Sequence, residues 1–178
     1  QKHGKNYMDY ISRELPEISG NWFSLSDRKE DRMIAGMSMG GYGAFVNALG
    51  NPEKFGYAAA FSGTLDIVYR YDHPGKYDLK KLFGSREELA GSDNDLFNLV
   101  SRIAQERKAS NDADKNDMKF LIMCGEQDPR FDMSKNLYAH MQSHGLTAEF
   151  EHKSGDHDFD YWDDCIKYAI AWFMMGYG

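Results

Sequence analysis

Residues 32–52, RMIAGMSMGGYGAFVNALGNP, decide the predicted fold of this chain. Residues 32–35 are a short apolar run that predicts a strand, and we expect Gly36 to end it. Residues 39–49 predict a helix, because Gly50 and Pro52 supply the signals that commonly follow the end of a helix. A strand, a tight turn and a helix are therefore expected in direct succession.

The same alternation of strand and helix continues outward from this stretch. Buried apolar runs or alternating residues predict strands at 57–61, 119–124 and 147–152. Helices are predicted at residues 95–107, 133–144 and 161–174. Apolar residues also recur at helical spacing at Tyr7, Ile11, Leu15 and Ile18, which predicts an amphipathic helix from about residue 5 to the region of Pro16. Strands interleaved with helices predict an α/β fold, in which a parallel sheet has helices on both faces.

Residues 64–117 form a long excursion within what we predict to be a single domain of residues 1–178. The excursion contains Tyr69, Tyr71, Tyr77 and Phe83. An insertion at this point can form a lid over a pocket, or it can pack its own aromatic side chains on the surface. The sequence leaves both interpretations open.

The composition excludes several classes of partner. A net charge of -7 over 178 residues argues against nucleic acid and anionic membrane surfaces, which require clustered Lys and Arg, and it favours a small substrate. No stretch approaches the roughly 18 apolar residues of a membrane span. The two cysteines, Cys124 and Cys165, are too few for a disulfide framework, and the apolar run before Cys124 predicts a buried free thiol there. We predict a cytoplasmic location, with secretion as the alternative because the first residue is Gln1 and an original N-terminus could have been removed.

The turn between the first strand and its helix carries a candidate nucleophile. Gly36, Met37, Ser38, Met39 and Gly40 spell G-x-S-x-G, the pattern of a nucleophile elbow when it lies between a strand and a helix. The glycines allow a sharp turn, and they leave space for a substrate and a neighbouring strand to approach closely. The helix N-terminus points at the serine, where its dipole and the Met39 amide can stabilise an oxyanion.

A serine hydroxyl needs a base to remove its proton, and we assign that role to His157. Of the six histidines, His157 follows the last predicted strand in a loop before an aromatic helix start, which is where this fold places its base. His140 and His144 lie four residues apart on a predicted helix, but without a third ligand nearby we expect a solvated face there. His3, His73 and His152 have no distinguishing context.

The carboxylate that orients the histidine is expected after the strand at 119–124. Glu126, Asp128 and Asp132 are the candidates, and we choose Asp128 because it lies far enough past Gly125 to project from the sheet edge. Asp132 is the runner-up, although we expect it to cap the next helix. The carboxylates flanking the base are poorly placed to reach its ring and are expected to make loop contacts; these are Asp156 and Asp158.

No metal or cofactor is expected. The acidic residues at 112–117 and the ladder of Asp156, Asp158 and Asp160 could suggest a calcium loop. Both lack glycine at the sixth loop position and glutamate at the twelfth, which a calcium loop of that type requires.

At this point the sequence resembles a known family, the esterase D and tributyrin esterase group of α/β-hydrolases, which is related to feruloyl and acetyl xylan esterases. The resemblance covers most of the chain. Its motifs are Tyr10 with Glu14-Leu15-Pro16, residues 35–44 (AGMSMGGYGA), Phe61-Ser62-Gly63, Cys124-Gly125 with Asp128, and residues 155–162 (GDHDFDYW).

The resemblance implies an α/β-hydrolase fold and a catalytic triad of Ser38, Asp128 and His157. Members of the family normally have a first part that supplies the early strands and a second oxyanion-hole amide. This sequence begins at about the helix before the elbow strand, so we expect only the later four strands, with the elbow strand at an edge. We also expect a homo-oligomer, or association with the missing N-terminal portion, to cover that edge.

The expected function is hydrolysis of a small-molecule ester, with short-chain or aromatic acyl groups implied by the resemblance. Two alternatives use the same fold. One is acyl transfer to an acceptor other than water, and the other is a non-catalytic binding module that has lost its oxyanion loop.

Overall fold

The centre of the molecule is a four-stranded sheet in the order β1-β2-β3-β4. The computed structural model describes residues 7–75, 78–109 and 118–176. The strands are β1 (Met33–Met37), β2 (Tyr57–Phe61), β3 (Lys119–Gly125) and β4 (Ala148–Lys153). Every neighbouring pair is parallel, and Met33 of β1 is in register with Tyr57 of β2, which faces Lys119 of β3. Each connection must therefore cross back over the sheet.

Helices lie before β1, between consecutive strands and after β4. They are α1 (Tyr7–Asp9), α2 (Leu15–Trp22), α3 (Met39–Gly50), α4 (Ile67–Asp72), α5 (Leu79–Phe83), α6 (Arg86–Leu89), α7 (Leu96–Ala109), α8 (Phe131–Ser143) and α9 (Phe159–Met175). A π-helical turn (Tyr10–Glu14) joins α1 to α2, and a 3-10 turn (Lys29–Asp31) precedes β1.

The core lies on both faces of the sheet, and β2 is therefore buried throughout. Ala58 and Ala60 of β2 face one cluster, which also contains buried residues of α3, α7 and α8. Tyr57, Ala59 and Phe61 face the other cluster, which is closed by α9. The alternation of side chains along a strand produces this division. The predicted parallel sheet with helices on both faces is thus confirmed.

The first helix differs from its prediction at its end. It was expected to end near Pro16, but the helical path continues through the π-helical turn and α2 to Trp22. Pro16 lies in the first two positions of α2, where proline is tolerated, so it does not end the helical path. The predicted apolar stripe of this helix is exposed, at Tyr7, Ile11, Leu15 and Ile18. Residues 5 and 6 lie outside the described residues.

Strand β1 also differs, because Gly36 does not end it. Gly36 pairs with Ala60, and the strand continues to Met37. Glycine without a side chain can remain extended where the chain turns back over it. As predicted, β1 is an edge strand, with β4 at the other edge. The remaining predicted boundaries agree within about two residues, the scatter normal for such assignments.

The described part of the excursion is folded against the sheet. Leu65, Ile67, Leu79 and Leu89 are buried in the same core cluster as α3, and α7 belongs to that cluster as well. Tyr71 packs against the cluster and donates a hydrogen bond of 3.0 Å to the Gly84 carbonyl. Tyr77 lies outside the described residues. A lid role for residues 64–117 stays a prediction.

Two further expectations concern membrane-spanning helices and the cysteines. Within the three described ranges, no helix is long and apolar enough to cross a membrane. Cys124 and Cys165 are both buried free thiols. Burial, with a smaller effect of the Asp128 carboxylate, raises the pKa of Cys124 to about 12. Burial also raises the pKa of Cys165 to about 11, so both thiols stay protonated and poorly nucleophilic at neutral pH.

Candidate active site

Ser38 lies at the sharp turn between β1 and α3. Its φ of 53° and ψ of −119° place a residue with a side chain in a strained region of conformational space. Surrounding hydrogen bonds hold it there: its amide donates to the Phe61 carbonyl at 2.8 Å, and its carbonyl accepts from the Thr64 amide at 3.2 Å. The serine side chain is thereby held out at the carboxyl end of β1.

The three glycines nearest the turn contribute unequally. A Cβ added to Gly36 would lie 2.3 Å from the Gly40 carbonyl oxygen, and one added to Gly41 would lie 3.2 Å from the Ala60 Cβ. A Cβ added to Gly40 would meet nothing within 4 Å among the described residues. The close approach of neighbouring backbone therefore depends on Gly36 and Gly41. At Gly40, an approach of the substrate stays a prediction.

His157 lies in the loop between β4 and α9 and connects two of the predicted residues. Its Nε2 is 3.0 Å from the Ser38 Oγ, and its Nδ1 is 2.8 Å from the Asp128 Oδ2. The edge of the ring meets Trp162 at a centroid distance of 4.8 Å and an angle of 90°. A carboxylate at Nδ1 places the imidazole proton there and leaves Nε2 free to accept one from the serine.

Asp128 is the carboxylate at this position, and its side chain is fully buried. Its second oxygen, Oδ1, accepts a hydrogen bond of 2.8 Å from the Arg130 amide. Asp132 does not cap α8 as predicted, because the helix begins one residue earlier, at Phe131, with Arg130 at the cap position. Asp132 is instead exposed in the first helical turn, and Glu126 accepts from His152 at 2.9 Å.

The carboxylates beside the base make loop contacts, as expected. Asp156 accepts from the His157 amide at 2.7 Å, and Asp158 caps α9 by accepting from the Tyr161 amide at 2.9 Å. These bonds fix the loop on both sides of the imidazole.

The sequence profile of the "Putative esterase" family matches residues 1–173. The chain belongs to this esterase family. It is 28% identical over 172 residues to an acetyl esterase of Caldicellulosiruptor saccharolyticus, covering 92% of this chain and 62% of that protein.

Solved structures of higher identity share the fold. The fluorophosphonate-binding serine hydrolase FphF of Staphylococcus aureus is 32% identical, with a TM-score of 0.81 over 96% of this chain and 64% of that chain. S-formylglutathione hydrolase FrmB of the same organism is also 32% identical, with a TM-score of 0.81 over 96% and 65%. The fold is that of the α/β-hydrolases. The chain spans less than two thirds of the length of each of these relatives.

The sequence does not reveal the contacts of Gln127, which connects the loop of Asp128 to the loop of His157. The Gln127 side-chain oxygen accepts from the Gly155 amide at 2.8 Å and from the Ser154 hydroxyl at 3.1 Å, and the Gln127 amide donates to the Gly155 carbonyl at 3.0 Å. Its only sequence signal is its place beside Asp128. A glutamine in a loop is ordinary, so the pattern alone does not reveal the contact.

Arg130 and Met39 complete the surroundings of Ser38. The Arg130 Nε donates to the Thr64 Oγ1 at 3.3 Å, and Thr64 in turn holds the Ser38 backbone. Met39 is the first residue of α3, so its amide has no acceptor within the helix and can donate to an anion beside Ser38. The arrangement can therefore activate a hydroxyl and stabilise a negative charge next to it.

His140, on α8, does not lie on the solvated face that the sequence predicts. His140 lies between α7 and α8, where its Nε2 is 3.0 Å from the Phe97 carbonyl oxygen and 3.1 Å from the Ser101 Oγ. Burial lowers the pKa of His140. The expected solvated face is therefore wrong for His140, because α7 covers it. Among the described residues, no cluster of three or more His, Cys, Asp or Glu could hold a metal ion.

Proposed function

We propose that this chain carries the catalytic centre of a serine carboxylesterase that hydrolyses short-chain or aromatic acyl esters. The observation that carries the proposal is the continuous hydrogen-bonded series from Asp128 through His157 to Ser38, with distances of 2.8 and 3.0 Å. These are the lengths at which a base can remove a hydroxyl proton. The likeness to a protein named acetyl esterase supports a short acyl group.

The reaction proceeds in two halves. His157 Nε2 takes the Ser38 proton while Oγ attacks the ester carbonyl, and the Met39 amide donates to the oxyanion. Protonated His157 then gives its proton to the leaving alcohol, and an acyl-serine remains. Water repeats the sequence with His157 as base, which releases the acid and restores Ser38. Asp128 orients the His157 ring and stabilises the imidazolium in both halves.

Fluorophosphonate labelling tests this proposal. We expect one adduct on the purified chain, and peptide mass spectrometry should place it on Ser38. Ser38→Ala should abolish labelling. Ser62→Ala is the matched control and should keep it, since Ser62 also has a positive φ, of 49°, but is buried. A folded chain that gives no adduct, or an adduct that survives Ser38→Ala, would overturn the proposal.

Removal of the Gln127 side chain should slow turnover without weakening substrate binding. Gln127→Ala leaves the Gly155 amide without its side-chain acceptor, so the loop that carries His157 can shift. Because small displacements of catalytic groups are costly, we expect kcat to fall about tenfold with little change in KM.

Two variants make this measurement specific. Gln127→Glu keeps an oxygen acceptor at the same place and should restore most of kcat. Glu126→Ala removes the neighbouring side chain, which bonds His152 instead, and should leave kcat unchanged. An unaltered kcat in folded Gln127→Ala would rule out the positioning role.

A further inference from the structure

A cavity beside the triad contains two arginines that the reaction does not use. Its volume is about 270 Å³. It lies between α4 and the loop that carries Asp128. Its lining residues are Tyr69, Arg70, His73, Pro129, Arg130 and Met133.

Direct contacts connect this cavity to the nucleophile. Arg130 bonds Thr64 through its Nε at 3.3 Å, and the Thr64 amide donates to the Ser38 carbonyl at 3.2 Å. The Arg130 amide also holds the Asp128 carboxylate at 2.8 Å. Arg130 and Thr64 therefore link the cavity to the backbone of Ser38 at the carboxyl end of β1.

The carboxylates near the cavity have other partners. Asp128 binds His157 through one oxygen and the Arg130 amide through the other, while the nearest guanidinium nitrogen of Arg130 is 4.0 Å away. Asp72 receives two hydrogen bonds from Arg86, at 2.8 and 2.9 Å. Asp66 caps α4 by accepting from the Tyr69 amide at 2.8 Å.

Arg70 has no ion-pair partner in the three described ranges of the chain. Its guanidinium donates to the His73 carbonyl oxygen, a neutral acceptor. Because a guanidinium has five N–H donors, Arg70 and Arg130 both keep donors for an anion. Positive charge gathered in one cavity of a chain with net charge -7 would also attract anions locally.

The wall of the cavity is flat and partly apolar. Tyr69 and His73 stack with ring centroids 4.1 Å apart and an angle of 22°, and Met133 lines the cavity as well. Such a surface suits a short carbon chain or ring that bears the anionic group.

We propose that this cavity binds a carboxylate carried by the ester substrate, with Arg70 as its main partner. Planar guanidinium groups match carboxylates in charge and geometry, which favours this anion. The inference rests on the proposed esterase function and narrows its substrates to esters that bear an acid group. The group belongs to either the acyl or the alcohol part, and substrate pairs can distinguish the two.

Matched acid and amide esters provide the test. Monophenyl adipate and phenyl 5-carbamoylpentanoate differ in charge on the acyl side, and 4-carboxyphenyl acetate and 4-carbamoylphenyl acetate differ on the alcohol side. We expect kcat/KM to be about tenfold higher for the acid in one of these pairs. Arg70→Met should remove that preference, chiefly by lowering kcat/KM for the acid ester. The control Arg102→Met makes the same charge change at α7, outside the cavity lining, and should keep the preference.

A binding measurement separates this inference from the esterase proposal. In a Ser38→Ala background, calorimetry with N-phenyladipamic acid, N-phenyladipamide, 4-acetamidobenzoic acid and 4-acetamidobenzamide requires no turnover. We expect one of the two acids to bind about tenfold more tightly than its amide, and Arg70→Met to abolish the difference. Equal binding of acid and amide in both pairs would overturn the carboxylate site even if the ester is hydrolysed. Selective binding without hydrolysis would retain the site and count against the esterase.

Discussion

A Ser38→Ala variant is expected to lose on the order of 10⁴- to 10⁶-fold in kcat for a small ester, with almost no change in stability. The Ser38 hydroxyl is hydrogen-bonded to His157 at 3.0 Å. Alanine therefore removes the proposed nucleophile without leaving a cavity in the hydrophobic core. Serine and alanine experience the same backbone strain at this position, where φ is 53°. Steady-state hydrolysis of phenyl acetate and the thermal unfolding midpoint check the two parts.

Ser143→Ala serves as the control for this loss. Ser143 is an exposed residue at the end of α8, where its hydroxyl donates to the His140 carbonyl at 2.7 Å. Its replacement should leave turnover at the wild-type rate. If Ser38→Ala hydrolyses the ester as fast as the wild type, another residue is the nucleophile.

Gly36→Ala is expected to destabilise the fold by about 2–4 kcal/mol, the range of severe packing errors. The new Cβ would lie 2.3 Å from the Gly40 carbonyl oxygen and 2.9 Å from the Gly41 nitrogen. These are backbone atoms of the elbow, which cannot rotate away as a flexible side chain does. Relief requires β1 and the start of α3 to separate, so we expect activity to fall with stability.

Gly40→Ala is the matched control, since it makes the same chemical change four residues later. Its added Cβ would meet no atom of the described residues within 4 Å, and Gly40 lies within α3. Alanine favours a helix over glycine, so the free energy of unfolding should rise by about 0.5–1 kcal/mol. Urea unfolding of the two variants gives the comparison. Equal unfolding free energies would mean that the elbow tolerates a Cβ at Gly36.

The sequence by itself determined the class of fold and the order of its elements. Apolar runs and helical spacing are local signals, and they predicted the four strands and the main helices within a few residues. The elbow motif identified Ser38, and positions after predicted strands singled out Asp128 and His157. Parallel strands bring their carboxyl ends to one sheet edge, which is why residues distant in the chain could be expected to meet there.

The tertiary structure alone decided which side chains contact one another. The two glycines of the elbow motif look equivalent in the sequence, yet Gly36 faces backbone and Gly40 faces open space. Asp132 follows β3 closely enough in the sequence to be a candidate partner of His157. It is exposed to solvent instead, because α8 already begins at Phe131.

The same limit applies to Gln127 and Arg70. Gln127 is hydrogen-bonded to the loop of His157, far along the chain. The cavity likewise brings Arg70 close to residues of a distant segment. Local patterns report the backbone conformation of a segment and the face it buries. Together with the parallel order of the strands, these patterns indicated which loops meet at one sheet edge. They do not specify the other groups from separate segments that come within hydrogen-bond distance, because that depends on how the sheet and its helices pack together.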